Sequence, residues 1–281
     1  MRSPSGILRL LPALLILLLG SSCAIFSGPS QVLPFAPPGL GEFKQDGIPF
    51  ADDTAGLIDS AGRLCTPLTS RDQKLYGYRF AVRAFENVEK GPADVRKAAA
   101  LALARCAAAY ADWETDEKKV IAVTQNGMDA ANAAGAAEKD PHASYYFAVN
   151  LGQQLRLIGV EAVTRLGDVL AALKAAGADP SLEQGGPLRV LGMLYLSAPS
   201  WPVGPGDNDE ALDVLRKAVE RYPSHPQNHL FYAMALMHAG ESGKAADELA
   251  TAANLSRPAL WGDYAARWLG EIRVLQARLA K

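Results

Sequence analysis

The sequence is poor in aromatic residues, which make up 7% of its 281 positions, and it holds three cysteines and four histidines. Three cysteines cannot staple a disulfide-rich miniprotein, and so few histidines leave little material for a metal centre. Neither sign of charge dominates, with 28 Lys and Arg against 30 Asp and Glu. The resulting net charge of −2 gives no basic footprint for nucleic acid, whose binding needs clustered cations to release counterions. One long apolar run occurs, at residues 10–19, so a multi-span membrane protein is excluded. No segment alternates polar and apolar residues in the manner of a half-buried strand. What is abundant is alanine, at 49 residues. Alanine costs no side-chain entropy in a helix and lets backbones approach, so the composition points to an all-α chain of closely packed helices.

Arg2 and Arg9 lead into Leu10–Leu19, and Gly20, Ser21 and Ser22 lead into Cys23. A basic start, an apolar stretch shorter than the ~20 residues of a membrane span, and then small residues read as a signal peptide over 1–22. The small residues before Cys23 resemble the lipobox of bacterial lipoproteins, although Leu19 lies one place further from the cysteine than in that pattern. The resemblance implies that Cys23 is acylated and becomes the N-terminus, a membrane anchor to which each buried CH₂ contributes ~0.8 kcal/mol. Ala24, where retention in the inner membrane is often marked by Asp, implies outer-membrane anchoring with the protein facing the periplasm. Removing 1–22 takes the charge balance to 26 against 30, or −4. Residues 23–54 carry clustered Pro and Gly that cannot propagate a helix, and they read as a tether. With Cys23 lipidated in an oxidising compartment, Cys65 and Cys106 form an even pair. They either bridge the first helix to the third or remain two buried thiols.

From residue 55 to 281, apolar residues recur at three- and four-residue spacing and predict an all-α domain of about eleven helices, the sixth at 160–177 and the last at 258–280. Ala211, Leu215 and Ala218 recur as Ala245, Leu249 and Ala252, an offset of 34 residues. Small–large–small spacing of this kind lets a second helix nestle against a first. With Gly192 and Ala233 ahead of these triplets, the segments resemble the tetratricopeptide repeat, a helix–turn–helix unit of 34 residues. The unit that begins with Gly192 has seven extra residues in its turn, within Ser197–Asp207, where Trp201 sits among Pro199, Pro202 and Pro205.

A longer pattern is similar to the T-component family of tripartite ATP-independent periplasmic (TRAP) transporters. It comprises Gly185–Gly192, Ala198–Pro202, Gly206–Asp207, Ala211 to Pro223 and Asn228–Leu230, with Asp140–Pro141, Tyr145–Tyr146 and Asn150–Gly152 upstream. This resemblance implies a lipid-anchored repeat protein that serves a periplasmic solute-binding protein and forms a homo-oligomer. A structural or assembly scaffold of the envelope is the rival reading.

The residues offer no catalytic constellation, and no metal or cofactor is expected, so a non-enzymatic protein follows. His225 and His229 stand four apart, but Pro226 suits a first helical position and leaves His225 outside the helix. Gly240–Lys244 lacks the first glycine and the final hydroxyl of a phosphate loop. Asp207 with Glu210 reads as a capping box rather than a calcium loop. The repeat resemblance places Tyr145, Val149 and Gln153, then Arg189, Met193 and Leu196, then Gln227, Leu230, Met234, Met237 and His238 on the inner side of the array. There, methionines could grip an apolar ligand or peptide. The alternative is that Met193, Met234 and Met237 lie in core seams.

Overall fold

The computed structural model describes residues 53–88 and 90–280, so the leader, Cys23 and nearly all of the tether lie outside the described residues. Twelve α-helices occur among them, and no strand. They are α1 (Thr54–Leu64), α2 (Arg71–Asn87), α3 (Ala93–Ala111), α4 (Glu117–Ala133), α5 (Pro141–Leu155) and α6 (Leu166–Ala176). The series continues with α7 (Gly186–Ser197), α8 (Asn208–Arg221), α9 (Pro226–His238), α10 (Ser242–Leu255), α11 (Pro258–Trp261) and α12 (Asp263–Leu279).

Local chemistry sets the starts. Ser70 and Gln73 form a reciprocal capping box on α2, and Asp116 accepts from the Lys118 and Lys119 amides at the start of α4. Asp140 caps α5 and His225 caps α9, each followed by proline at the first helical position, where its missing N–H is no loss. The Asp207 side chain accepts from the Asp209 and Glu210 amides, but its own N–H donates to the Tyr195 carbonyl at 2.9 Å. The expected capping box is therefore only half built.

The helices pair as hairpins, α1 with α2 through α9 with α10, and each first helix also touches the first helix of the next hairpin. This makes a TPR-like array in which α1, α3, α5, α7 and α9 form one continuous inner row and α12 takes the sixth place beside α9 and α10. The small positions explain the spacing. Ala211, Ala218, Ala233, Ala245 and Ala252 are fully buried, with Leu215 and Leu249 filling the gaps between helices. On the inner row, the side-chain amides of Asn150 and Gln153 donate to the carbonyls of Ala104 (2.9 Å) and Ala108 (3.0 Å), fixing α5 against α3. Cys65, at the end of α1, is bonded to Cys106 of α3.

Two predicted helices are subdivided. The 160–177 segment opens as a 3₁₀ turn over Gly159–Arg165 before α6 begins. The 258–280 segment breaks at Gly262, whose φ is +53°. A Cβ there would stand 2.9 Å from the Pro67 carbonyl oxygen, so the break is where the end of the array meets its beginning.

Candidate docking site

That meeting is the feature the periodicity gave no sign of. The Arg267 guanidinium on α12 bonds the Asp112 carboxylate at 2.8 Å and the Asp112 carbonyl at 3.1 Å, at the end of α3. It also lies over the Trp113 ring, 3.7 Å from the centroid, while Tyr264 meets that ring edge-on. Lys74 of α2 is only 1% exposed and donates to the Thr69 carbonyl, with Trp113 and Tyr264 beside its ammonium. Burial pulls the Lys74 ammonium down to about 8 and pushes the Glu271 carboxyl of α12 up to about 7. The adjoining face of α12 buries Ala265, Trp268, Ile272 and Leu275, and Trp268 packs against Trp261 and the His225 ring. The last helix is therefore packed over one broad face, and its N-terminal half ties the last repeat to the first two.

Beyond this tie, the C-terminal ends of α7, α9 and α12 leave a cleft of about 200 Å³. Leu196, Met234, Met237 and Leu275 give it apolar walls, and Ser197, His238 and Arg278 complete the lining. A site of this make-up is mostly apolar, with one hydroxyl, one imidazole and one guanidinium. It can exclude water from an apolar group and present a cation beside it.

The inner-side residues expected from the repeat divide between this cleft and the interior. Leu196, Met234, Met237 and His238 line the cleft. Met193 and Leu230 are sealed in the core, Val149 is half-buried against it, and Gln227 is half-buried in the first turn of α9. Gln153 is spent on the α3 carbonyl. Tyr145 is buried with its hydroxyl crowding Gly186, and burial pushes it up to about 12. Arg189, 5% exposed, donates to Asn228 Oδ1 at 2.8 Å and to the carbonyls of Gln184 and Glu183. Tyr145 and Arg189 thus offer no surface to a ligand; they hold the turn at 183–185, whose three residues all have positive φ.

Other singled-out groups have plain duties. His229 bonds Glu248 at 2.6 Å and the Pro223 carbonyl at 2.8 Å, while the His225 ring packs on Trp261, so the two imidazoles do not converge. Gly240 turns the chain between α9 and α10 with φ +77°. Ser197, Leu275 and Arg278 are the cleft residues that repeat counting missed: Ser197 ends α7 outside the counted positions, and α12 follows the break at Gly262 and carries no repeat register of its own.

No curated protein matches the chain. The family model described as tetratricopeptide repeat matches residues 203–262, which run from the Trp201 loop through α8, α9, α10 and α11. The match and the hairpin array together support a tetratricopeptide-repeat protein.

Proposed function

We propose that the chain is a non-enzymatic envelope lipoprotein, anchored through Cys23 in the outer membrane and facing the periplasm, that docks a partner protein in the cleft between α7, α9 and α12. Its role on this reading is that of an accessory component of a TRAP-type transporter, with the solute-binding protein as partner. The carrying observation is the apolar cleft open at the ends of three successive inner helices. Tetratricopeptide repeats are protein-interaction scaffolds, and repeat arrays bind on such inner surfaces. The Cys65–Cys106 bond supports an oxidising compartment. The resemblance to the T-component family supports the transporter.

The test is chemical cross-linking in cells that produce the full chain, followed by mass spectrometry. Recovery of a periplasmic solute-binding protein, lost in Met237→Asp, supports the proposal. Adducts that ignore Met237→Asp remove the cleft from it. Failure of labelled palmitate to enter at Cys23 removes the anchor.

One observation favours a second reading as an envelope scaffold. The Arg267–Asp112 tie makes the array a closed unit, suited to holding partners at fixed separation. Cross-linked partners drawn from structural envelope proteins alone would select that reading.

A further inference from the structure

We infer that the partner docks by an acidic–apolar segment: one side chain of the size of phenylalanine or leucine enters the cleft, and a side-chain carboxylate beside it is held by Arg278. This rests on the cleft being a docking site, and it names the chemistry of what docks there.

The cleft has room for one side chain. Its volume of about 200 Å³ is a little more than the ~150 Å³ that takes a benzene ring. A long acyl chain, with more than twice the carbons of benzene, does not fit. Leu196 and Leu275 are buried apolar walls, and half-buried Met237 adapts to the ring or branch that enters. A buried anchor of this kind fixes where a segment docks, and the polar groups around it decide which segment is accepted.

The lining carries charge of one sign. His238 and Arg278 are both exposed, and no carboxylate stands among the described lining residues, although acidic residues outnumber basic ones over the chain by 30 to 28. Neither side chain is spent elsewhere, since neither has an ion pair or hydrogen bond among the described residues. Glu241, which follows His238, is paired with Lys244 instead. Glu271, two turns back from Arg278 along α12, interacts with Arg267 and Asp112. Nor are the two cations needed to cap the helices that carry them. The Gly240 and Glu241 N–H groups donate to the Met237 and Leu236 carbonyls at 3.1 and 2.9 Å, and the Ala280 N–H donates to the Gln276 carbonyl at 3.2 Å. A guanidinium left free beside an apolar hole is matched by a carboxylate beside an apolar side chain, whereas a basic segment would meet like charge there.

The full chain in detergent, with its methionine methyls labelled for NMR, is titrated with acetyl-Gly-Phe-Glu-Gly-amide and with the same peptide carrying Gln or Lys in place of Glu. The Glu peptide is expected to shift the Met237 methyl and to leave Met128 and Met193, each 2% exposed, unmoved. The Gln peptide should bind roughly threefold to tenfold more weakly, and the Lys peptide more weakly still. Arg278→Gln should erase the difference between the Glu and Gln peptides, and added salt should narrow it in the unaltered chain. Glu and Gln peptides that bind alike, or a preference that survives Arg278→Gln, overturn the acidic segment. So does a Met237 shift produced by sodium palmitate and by none of the peptides, which would give the cleft to a lipid. A photo-cross-linker at Met237 in cells separates this failure from that of the docking reading. Protein adducts there, without an acidic preference among the peptides, keep the cleft as a docking site and remove only the acidic segment. No adduct together with no peptide shift removes both.

Discussion

Arg267 bonds Asp112 at 2.8 Å across 155 residues of sequence, and this pair joins the final helix of the array to the second hairpin. Both side chains are largely buried, and the guanidinium is also stacked on Trp113. Removing one partner from such a pair leaves an uncompensated charge, at a cost of about 3 kcal/mol or more. Arg267→Ala is therefore expected to lower the urea-unfolding free energy by about that much. It should also raise hydrogen exchange in α12 and at residues 67–68 together, because the two meet at Gly262.

Arg189 plays the corresponding part in the middle of the chain. Its bonds to Asn228 and to two carbonyls of the left-handed turn hold α7, α9 and residues 183–185 in one cluster. Arg189→Met keeps the length and loses the donors, leaving Asn228 Oδ1 without its partner in the interior, while the Gln184 carbonyl keeps the Asn228 Nδ2 donor at 3.1 Å. A loss of about 3 kcal/mol is expected in chemical denaturation, with no change in cleft binding that a stability loss does not explain.

The bridge between Cys65 and Cys106 closes a loop with a sequence separation of 41. On the chain-entropy account, a loop of that size contributes about 4 kcal/mol by restricting the unfolded chain. Calorimetry with and without reductant is expected to show a lower unfolding temperature in the reduced protein, and a Cys65→Ser/Cys106→Ser double variant should be insensitive to reductant.

Gly192 supplies a packing test of the repeat register. A Cβ there would lie 2.3 Å from Leu215 Cγ, so α7 and α8 cross too closely for any side chain. Gly192→Ala is expected to destabilise by about 1–3 kcal/mol through overpacking, despite the better helix propensity of alanine. Thermal unfolding measures it, and Leu215→Ala in the same chain should recover part of the loss.

These sites differ in how far the sequence discloses them. Ala211, Leu215 and Ala218 with their copies 34 residues on could be read directly, because interhelical packing tolerates few residue types at a close crossing. The Trp201 insertion was visible as a departure from the repeat length. By contrast, the Arg267–Asp112 tie leaves no trace in local pattern, since nothing in periodicity says that the sixth inner helix returns to the second hairpin. Repeat position puts Arg189 and Tyr145 on the expected helices, but both side chains are buried. Repeat position gives the face of a helix, but the left-handed turn at 183–185, invisible beforehand, draws that face inward.

The two histidines at the start of α9 act in opposite senses on pH dependence. Bonds to Glu248 and the Pro223 carbonyl outweigh burial and raise the His229 pKa above its usual value. That stabilisation is present in full below the unfolded value of about 6.5 and is lost as pH rises through the folded value. His225, buried beside Arg189 and His229, is held well below its usual value, so its contribution is present above about 6.5 and lost as pH falls. Urea midpoints measured from pH 5 to 8 are expected to lose their alkaline decline in His229→Gln. They should lose part of the acid decline in His225→Asn, which preserves a capping side chain.

The central claim is that the helical-hairpin array docks protein through the ends of α7, α9 and α12. The most direct measurement places a photo-cross-linking residue at Met237 in the full chain and irradiates intact cells. Specific protein adducts at Met237, absent when the same residue is placed on the outer face of α10 at Ala250, are the result this account requires. Equal labelling from both positions, or none from Met237, would contradict it.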